Sequence, residues 1–252
     1  MRQNYEELSA VQNYEIGQRF ATDKRVFHYS RATVALVHPC TYRMAIQGDA
    51  YLATNEMLTV APAGAIGDKT LTIVTTLFIG GGGAGVVLKD ELKGGYVEIF
   101  PVAGGAFMWR KITGNSANVG ANTIITVDRP FNVAVGVGSQ VGLHPSIYRA
   151  IVPPGSIAAG YGVATGVPPV PIPLATPFFW LQTYGPVWLA STGAQPLSAG
   201  YDVDAYMHQD GTIGTSLGET IGTVQPSPQR IGHVMGAALY GCNQIFLELD
   251  NS

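Results

Sequence analysis

Gly214-Thr215-Ser216-Leu217-Gly218 matches the G-x-S-x-G pattern, in which a serine held on a sharp strand-to-helix turn acts as a nucleophile. His208, Asp210 and His233 lie near it in the chain and are the natural partners for such a serine. The flanking text, QDGTI before and ETIGTV after, reads as a loop followed by a strand, so the helix that the elbow requires is missing. A polar glycine turn is the expectation there. Gly80, Gly82 and Gly85 satisfy G-x-G-x-x-G directly after an apolar strand. That loop works by aiming a helix N-terminus at a pyrophosphate. Here the following VVLKDELKGG stops at Gly94-Gly95, too soon for a crossover helix, so a glycine-rich turn is expected and no cofactor.

The five histidines, His28, His38, His144, His208 and His233, form no i, i+4 pair, and His38-Pro39-Cys40 is the sole close His/Cys spacing. Zinc sites draw four ligands from paired spacings, so no metal is expected. Asp202 and Asp204 would share one strand face. Two carboxylates supply too few of the six to eight oxygens that calcium takes, and charges at a strand edge discourage unwanted pairing. No catalytic residue is expected. Trp109, Trp180, Trp188 and the Phe178–Tyr184 cluster are the remaining candidates, as a sugar platform or, by the usual use of large aromatics, as core or interface. Alternation puts Phe178, Trp180, Gln182 and Tyr184 on one face and Phe179, Leu181 and Thr183 on the other.

The elements that would position these residues are β-strands. The 252 residues carry 32 glycines and 16 prolines, 46% apolar side chains and only 12% charged ones, against about 25% charged in an ordinary soluble domain. Hydrophobicity this high and net charge this low exclude disorder. A net charge of −3 argues against a nucleic-acid partner held by phosphate neutralisation. Every basic residue except Arg230 lies before residue 150, and no charged side chain stands between Arg149 and Asp202. An uncharged stretch of that length is expected to lie against protein. The uncharged run 70–88 approaches the length of a membrane span, but Gly80–Gly83 breaks it, so two buried strands joined by a turn are expected and no membrane partner. The opening MRQNYEELSA lacks the basic start and apolar run of a secretory signal. Cys40 and Cys242 read as free thiols in a reducing cytoplasm.

The expected fold is all-β: two small antiparallel units, sandwich- or barrel-like, joined by a proline-rich extended strap and preceded by a short N-terminal arm. The expected division is 1–32 (arm and hairpin), 33–149 (β-rich domain), 150–176 (strap) and 177–252 (C-terminal β domain). Residues 17–32 read as a hairpin around Ala21-Thr22-Asp23-Lys24. The text around 41–58 reads as a helix weakened by Gly48. Strands are expected at 70–79, 85–88, 95–100, 107–113, 123–127, 132–135, 178–189, 201–207, 220–224, 232–239 and 244–249. The prolines gathered between 145 and 186 remove backbone donors, which excludes a central strand from that segment.

Several of these segments together resemble virion proteins of tailed bacteriophages encoded among head genes. The residues that carry the resemblance are Phe27, Tyr29 and Ala32 at the end of the hairpin, WRKITGNSA at 109–117, TVDRPFNVAV at 126–135, the proline-rich strap, Trp180, Gln182, Thr183, Gly185 and Pro186 of a W-x-Q-T-x-G-P segment, and the closing IFLELD at 245–250. The resemblance implies a non-enzymatic capsid decoration protein on the outer surface of the head. It would be made in the host cytoplasm, would bridge subunits of the major capsid protein, and would associate with itself as a homo-oligomer such as a trimer. Tyr5 and Tyr14 of the arm, Val152, Pro153, Pro168, Pro169, Pro171 and Pro173 of the strap, and Trp180 and Tyr184 are the candidate interface residues. The alternative is a tail-fibre or receptor-binding module that recognises host glycans through Trp180 and Tyr184.

Overall fold

The computed structural model describes residues 4–36, 42–44, 58–76, 79–80, 83–84, 86–102, 104, 107–118, 121–153, 163–190, 203–207, 211–214, 229–237 and 242–250. The protein is all-β, with no helix among the described residues. It divides into two units. One joins Met1–Ala45 to Ile147–Ser252, and the other is the insertion Ile46–Ser146.

The first unit is built on a seven-stranded antiparallel sheet. The hairpin β1 (Arg19–Thr22) and β2 (Arg25–Arg31) forms as expected, turning through Asp23 in the left-handed region at φ 52°, a conformation that Asp adopts more readily than most residues. β2 then pairs with the first half of β14 (Phe178–Ala190), and the second half of β14 pairs with β18 (Cys242–Glu248). β17 (Gln229–Ala237), β15 (Asp204–Met207) and β16 (Ile213–Gly214) complete the sheet. A small sheet of β12 (Ile151–Val152), β3 (Tyr42–Met44) and β13 (Ala164–Gly166) belongs to the same unit.

The change of partner along β14 occurs at Gly185, whose φ of +94° and lack of a side chain let the main chain of Lys24 and Arg25 come against it. Gln182 fixes this bulge by donating from Nε2 to the carbonyls of Tyr184 (3.2 Å) and Pro186 (3.0 Å). Beyond Gly185, β14 has β18 on one side and β2 no longer on the other. Pro186 is therefore accommodated without breaking a two-sided ladder. The exclusion of a strand from the whole of 145–186 is corrected accordingly, since β14 begins at Phe178.

Both faces of the first half of β14 are covered by the unit's own chain. Phe179 and Leu181 pack with Ala32, Leu36, Ile151 and Ile172, and Leu36 and Ile172 exchange backbone hydrogen bonds, so the strap lies on this face. Trp180 packs on the other face with Ile16, Phe27, Tyr29 and the arm residues Tyr5 and Tyr14. The boundaries expected at 32/33, 149/150 and 176/177 differ from those observed. The N-terminal hairpin and the C-terminal strands share one sheet, because β2 finds its partner in β14 rather than in the residues that follow it.

The second unit is a closed six-stranded antiparallel barrel. Its strands are β4 (Leu58–Val60), β5 (Thr70–Val74), β8 (Tyr96–Phe100), β9 (Met108–Asn115), β10 (Asn122–Val127) and β11 (Gln140–His144), in the order β10-β5-β4-β11-β8-β9. β8, β9 and β10 run as a meander and β11 returns beside β8, a Greek key. Alternate residues, among them Leu71, Ile73, Val97, Ile99, Ile125 and Val141, point inward. The turn at 86–95 carries Val87 and Leu92 into this core. Buried Asn115 holds the turn, accepting from Leu92 N (2.8 Å) and donating to Leu88 O (2.9 Å) and Ser116 O (2.7 Å).

Several local expectations change. Tyr42–Met44 and Leu58–Val60 are strands, not parts of a helix, the latter showing a buried-exposed-buried alternation, and 45–57 lies outside the described residues. The strand expected at 70–79 ends at Val74, and β6 (Ile79–Gly80) pairs with β7 (Gly83–Ala84) across the glycine-rich text. Residues 86–88 form no strand because Leu88 N bonds instead to the Glu91 carboxylate (2.7 Å). In 132–135 a single bridge, Val135 to Gly64, replaces a ladder. The strand expected at 220–224 lies outside the described residues.

Candidate functional site

Exposed aromatic side chains gather on the outward face of the barrel strands β8, β9 and β11. Tyr96, Glu98 and Phe100 alternate outward on β8, and Trp109 and Lys111 do so on β9 with Phe107 just before it. Register sets Glu98 between Trp109 on one side and Gly142 on the other, and sets His144 beside Tyr96. Phe100 stacks on Phe107 at 5.6 Å, Phe107 meets Trp109 edge to face at 6.2 Å, and Trp109 stacks on His144 at 5.4 Å. The Trp109–His144 stack spans the strand that carries Glu98, and His144 Nε2 lies 3.4 Å from Glu98 Oε2. Gly142 makes this possible, since a Cβ there would meet both His144 Nε2 (3.3 Å) and Glu98 Oε2 (3.5 Å). Phe107 and Trp109 remain 50% and 45% exposed.

On the sheet of the first unit, Arg230 donates to Asp204 (2.8 Å) and to Glu248 (2.7 Å). His233 Nδ1 is 3.1 Å from Glu248, and its ring stacks on Phe246, which meets Tyr184 edge to face at 5.0 Å. The hydrogen bonds to Asp204 and then Glu248 hold the Arg230 guanidinium above its ordinary pKa. This group is an internally satisfied ion network, and Asp204 serves it rather than a strand edge. A second polar cluster joins the hairpin to the end of the chain. Both His28 ring nitrogens face acceptors, Gly17 O (3.1 Å) and Asp250 Oδ2 (3.0 Å), and the ring lies flat on Tyr148 at 4.4 Å. Burial, and then the Asp250 charge, push the Tyr148 phenol up to about 12.

The residues expected at an interface are distributed differently from the expectation. Trp180 is 0% exposed. Its ring is enclosed by Tyr14 (5.1 Å), Phe20 (5.6 Å) and Tyr29 (5.1 Å). Tyr5 stacks on Phe27 at 5.0 Å under the Arg25 guanidinium. The arm is thus folded onto its own hairpin, and the stripe expected on Trp180 and Tyr184 does not form a sugar platform, because Trp180 is a core residue and only Tyr184 reaches the surface, half-buried. Val152 and Pro168 are buried in their own unit, Pro153 and Pro169 are half-buried, and Pro171 and Pro173 are exposed. Ser216, His208, Asp202, Asp210, His38 and Cys40 lie outside the described residues, and of Cys242 the backbone alone is described.

Comparison with protein-family models, curated proteins and solved structures finds no match.

The functional reading therefore rests on residues. Among the described ones, no group of three or more His, Cys, Asp or Glu side chains is placed to hold a metal ion. The barrel face was only partly legible beforehand. Trp109 stands out in the sequence, and Tyr96-x-Glu98-x-Phe100 and Phe107-x-Trp109 have the period of an outward strand face. Gly142 and His144 carry no such signal, because the return of β11 beside β8 is a long-range pairing.

Proposed function

We propose that the chain is a non-enzymatic structural protein of a tailed-bacteriophage virion, a capsid decoration protein that binds the outer surface of the head and bridges major capsid protein subunits as a homo-oligomer. The observation that carries this reading is where the resembling segments fall. Phe27, Tyr29 and Ala32 lie in or next to β2, 109–117 in and after β9, 126–135 at and beyond the end of β10, Trp180 to Pro186 in β14, and 245–250 in and after β18. The likeness therefore covers the framework of both units rather than one site.

The uncharged stretch supplies the docking chemistry. Much of it is used internally, but Val163, Pro171, Pro173, Leu174 and Trp188 point to solvent from it. Exposed apolar side chains free of charged neighbours in the chain suit the centre of an interface, where charge is depleted. A lattice contact of about 1,200–2,000 Å² is enough for specific association, and repetition over a shell makes individually modest contacts sufficient. The acidic excess after residue 150 fits the exterior better than the DNA-lined interior.

The test is cosedimentation of the purified chain with heads that lack it. The expected result is saturable binding that the double substitution Leu174→Glu and Trp188→Glu weakens more than about tenfold. Absence of binding to heads, or binding indifferent to both substitutions, contradicts the assignment.

A further inference from the structure

We infer that the outward face of β8, β9 and β11 is a carbohydrate-binding site for neutral, gluco-configured oligosaccharides. The inference concerns the barrel unit alone and goes beyond the decoration role, whose docking residues lie on the other unit.

Three features of the face point to a sugar. Phe107 and Trp109 are about half exposed although each is large and apolar, and they stand together rather than singly. A pyranose whose hydroxyls are all equatorial presents a face of axial C–H bonds, and an aromatic π-face carries the partial negative charge that attracts them. Polar groups also stand among the rings rather than around a dry patch: the Glu98 carboxylate, the His144 imidazole, the exposed Gln140 amide and the Lys111 ammonium. A carboxylate and an amide accept from and donate to vicinal hydroxyls, which gives the orientation that stacking alone does not. Gly142, finally, lets the His144 ring and the Glu98 carboxylate meet over β11, which fixes both polar groups beside Trp109. From β9 across β8 to β11 the face spans two strand spacings, about 10 Å, the length of a disaccharide.

The same features disfavour other occupants. A single-stranded nucleic acid would stack on the rings, but its phosphates would meet the Glu98 carboxylate at the middle of the face, and such sites need a basic groove. A protein partner is favoured by a continuous apolar centre with charge at its rim, whereas here the Glu98 carboxylate stands at the centre. The order of the rings across the strands, Phe100, Phe107, Trp109 and His144 in successive contact, suits a ligand that is itself a chain of rings.

Isothermal titration calorimetry of the full chain with cellohexaose and with N-acetylchitohexaose tests the inference. At least one of the two is expected to bind. Trp109→Ala is expected to weaken that binding at least about tenfold, the scale of a lost stacking ring at a hot spot. Met235→Ala, on the other unit, is expected to leave it unchanged. Glu98→Gln keeps the side-chain volume outside the barrel core and is expected to weaken binding severalfold, so the test stands even if loss of Trp109 loosens β9. Failure of both probes to bind at millimolar concentration overturns the inference, as does binding that survives both Trp109→Ala and Glu98→Gln. Either result leaves cosedimentation with heads unaffected, so the two readings fail separately.

Discussion

Replacing Gly185 by alanine attacks the point at which β14 passes from β2 to β18. Two costs add there. The residue sits at φ +94°, where an L side chain crowds its own backbone, a penalty of roughly 1–2 kcal/mol. An alanine Cβ would also run into the Lys24 carbonyl oxygen and lie 3.0 Å from Arg25 Cγ and 3.1 Å from Arg25 Cα. Main chain cannot rotate away as a side-chain tip can, so the hairpin must shift, at about 1–3 kcal/mol for a forced overpacking. The sum, about 2–5 kcal/mol, is a large part of the 5–15 kcal/mol that holds a typical domain together. The assay is urea denaturation followed by tryptophan fluorescence in a Trp109→Phe background, where the two remaining tryptophans, Trp180 and Trp188, both lie in β14. A slope of about 2 kcal/mol per molar urea places the midpoint roughly 1–2.5 M lower at unchanged slope. Gly67→Ala in the barrel, followed by Trp109 fluorescence in a Trp180→Phe, Trp188→Phe background, is the contrast, because Gly67 has φ +94° but nothing within 4 Å of its Cβ position, and it should cost only the conformational part. A Gly185→Ala loss below about 1 kcal/mol, or one equal to that of Gly67→Ala, would refute the close-approach argument.

Two further predictions follow from buried polar groups. Asn115→Ala removes two hydrogen bonds to the 86–95 turn and one to Ser116 O, and leaves Leu92 N and Leu88 O without those partners; it should destabilise the barrel by about 1–3 kcal/mol, seen as a lower melting temperature and faster amide exchange at Leu92. Tyr148 should ionise only near pH 12 in an ultraviolet titration. Because its folded pKa lies above the unfolded value of 10, its contribution is intact below pH 10 and is lost between pH 10 and about 12, where the unfolded chain has given up the proton and the folded one has not. Asp250→Asn should lower that pKa, leaving the share due to burial, and a Tyr148 titration unmoved by the substitution would exclude the carboxylate as a contributor.

The strands with a clean period were legible in the sequence, while the pairing between distant segments was not. Phe178–Ala190 and Cys242–Glu248 were readable to within a residue or two because both are rich in apolar and aromatic side chains and are bounded by turn residues. The same text gave the faces of β14 as far as Gln182, with Phe178 and Trp180 on one and Phe179 and Leu181 on the other, but neither the bulge that then changes the alternation before Tyr184 nor what covers the faces. A strand face of Phe178 and Trp180 reads alike whether its cover is another subunit or the arm residues Tyr5 and Tyr14, and the arm is 170 or so residues away along the chain. At the start of the helix expected around 41–58 a strand stands for a related reason: Tyr42–Met44 acquires its conformation from pairing with Ile151–Val152 and Ala164–Gly166, not from local propensity. Low charge between Arg149 and Asp202 reads as contact with protein, and among the described residues of that stretch Ile151, Val167 and Ile172 make such contact inside their own unit while Leu174 and Trp188 face solvent. On the barrel, alternation exposed Phe107 and Trp109 to view in the sequence, but the meeting of His144 and Glu98 over Gly142 exists only once β11 lies beside β8.

The central claim is a decoration role, and copy number tests it most directly. Quantitative mass spectrometry of purified virions, with the major capsid protein as the internal standard, should give hundreds of copies of this chain per particle, in fixed proportion to the capsid lattice. A count of a few dozen or fewer, as for a tail or fibre component, or absence of the chain from the particle, would contradict the account.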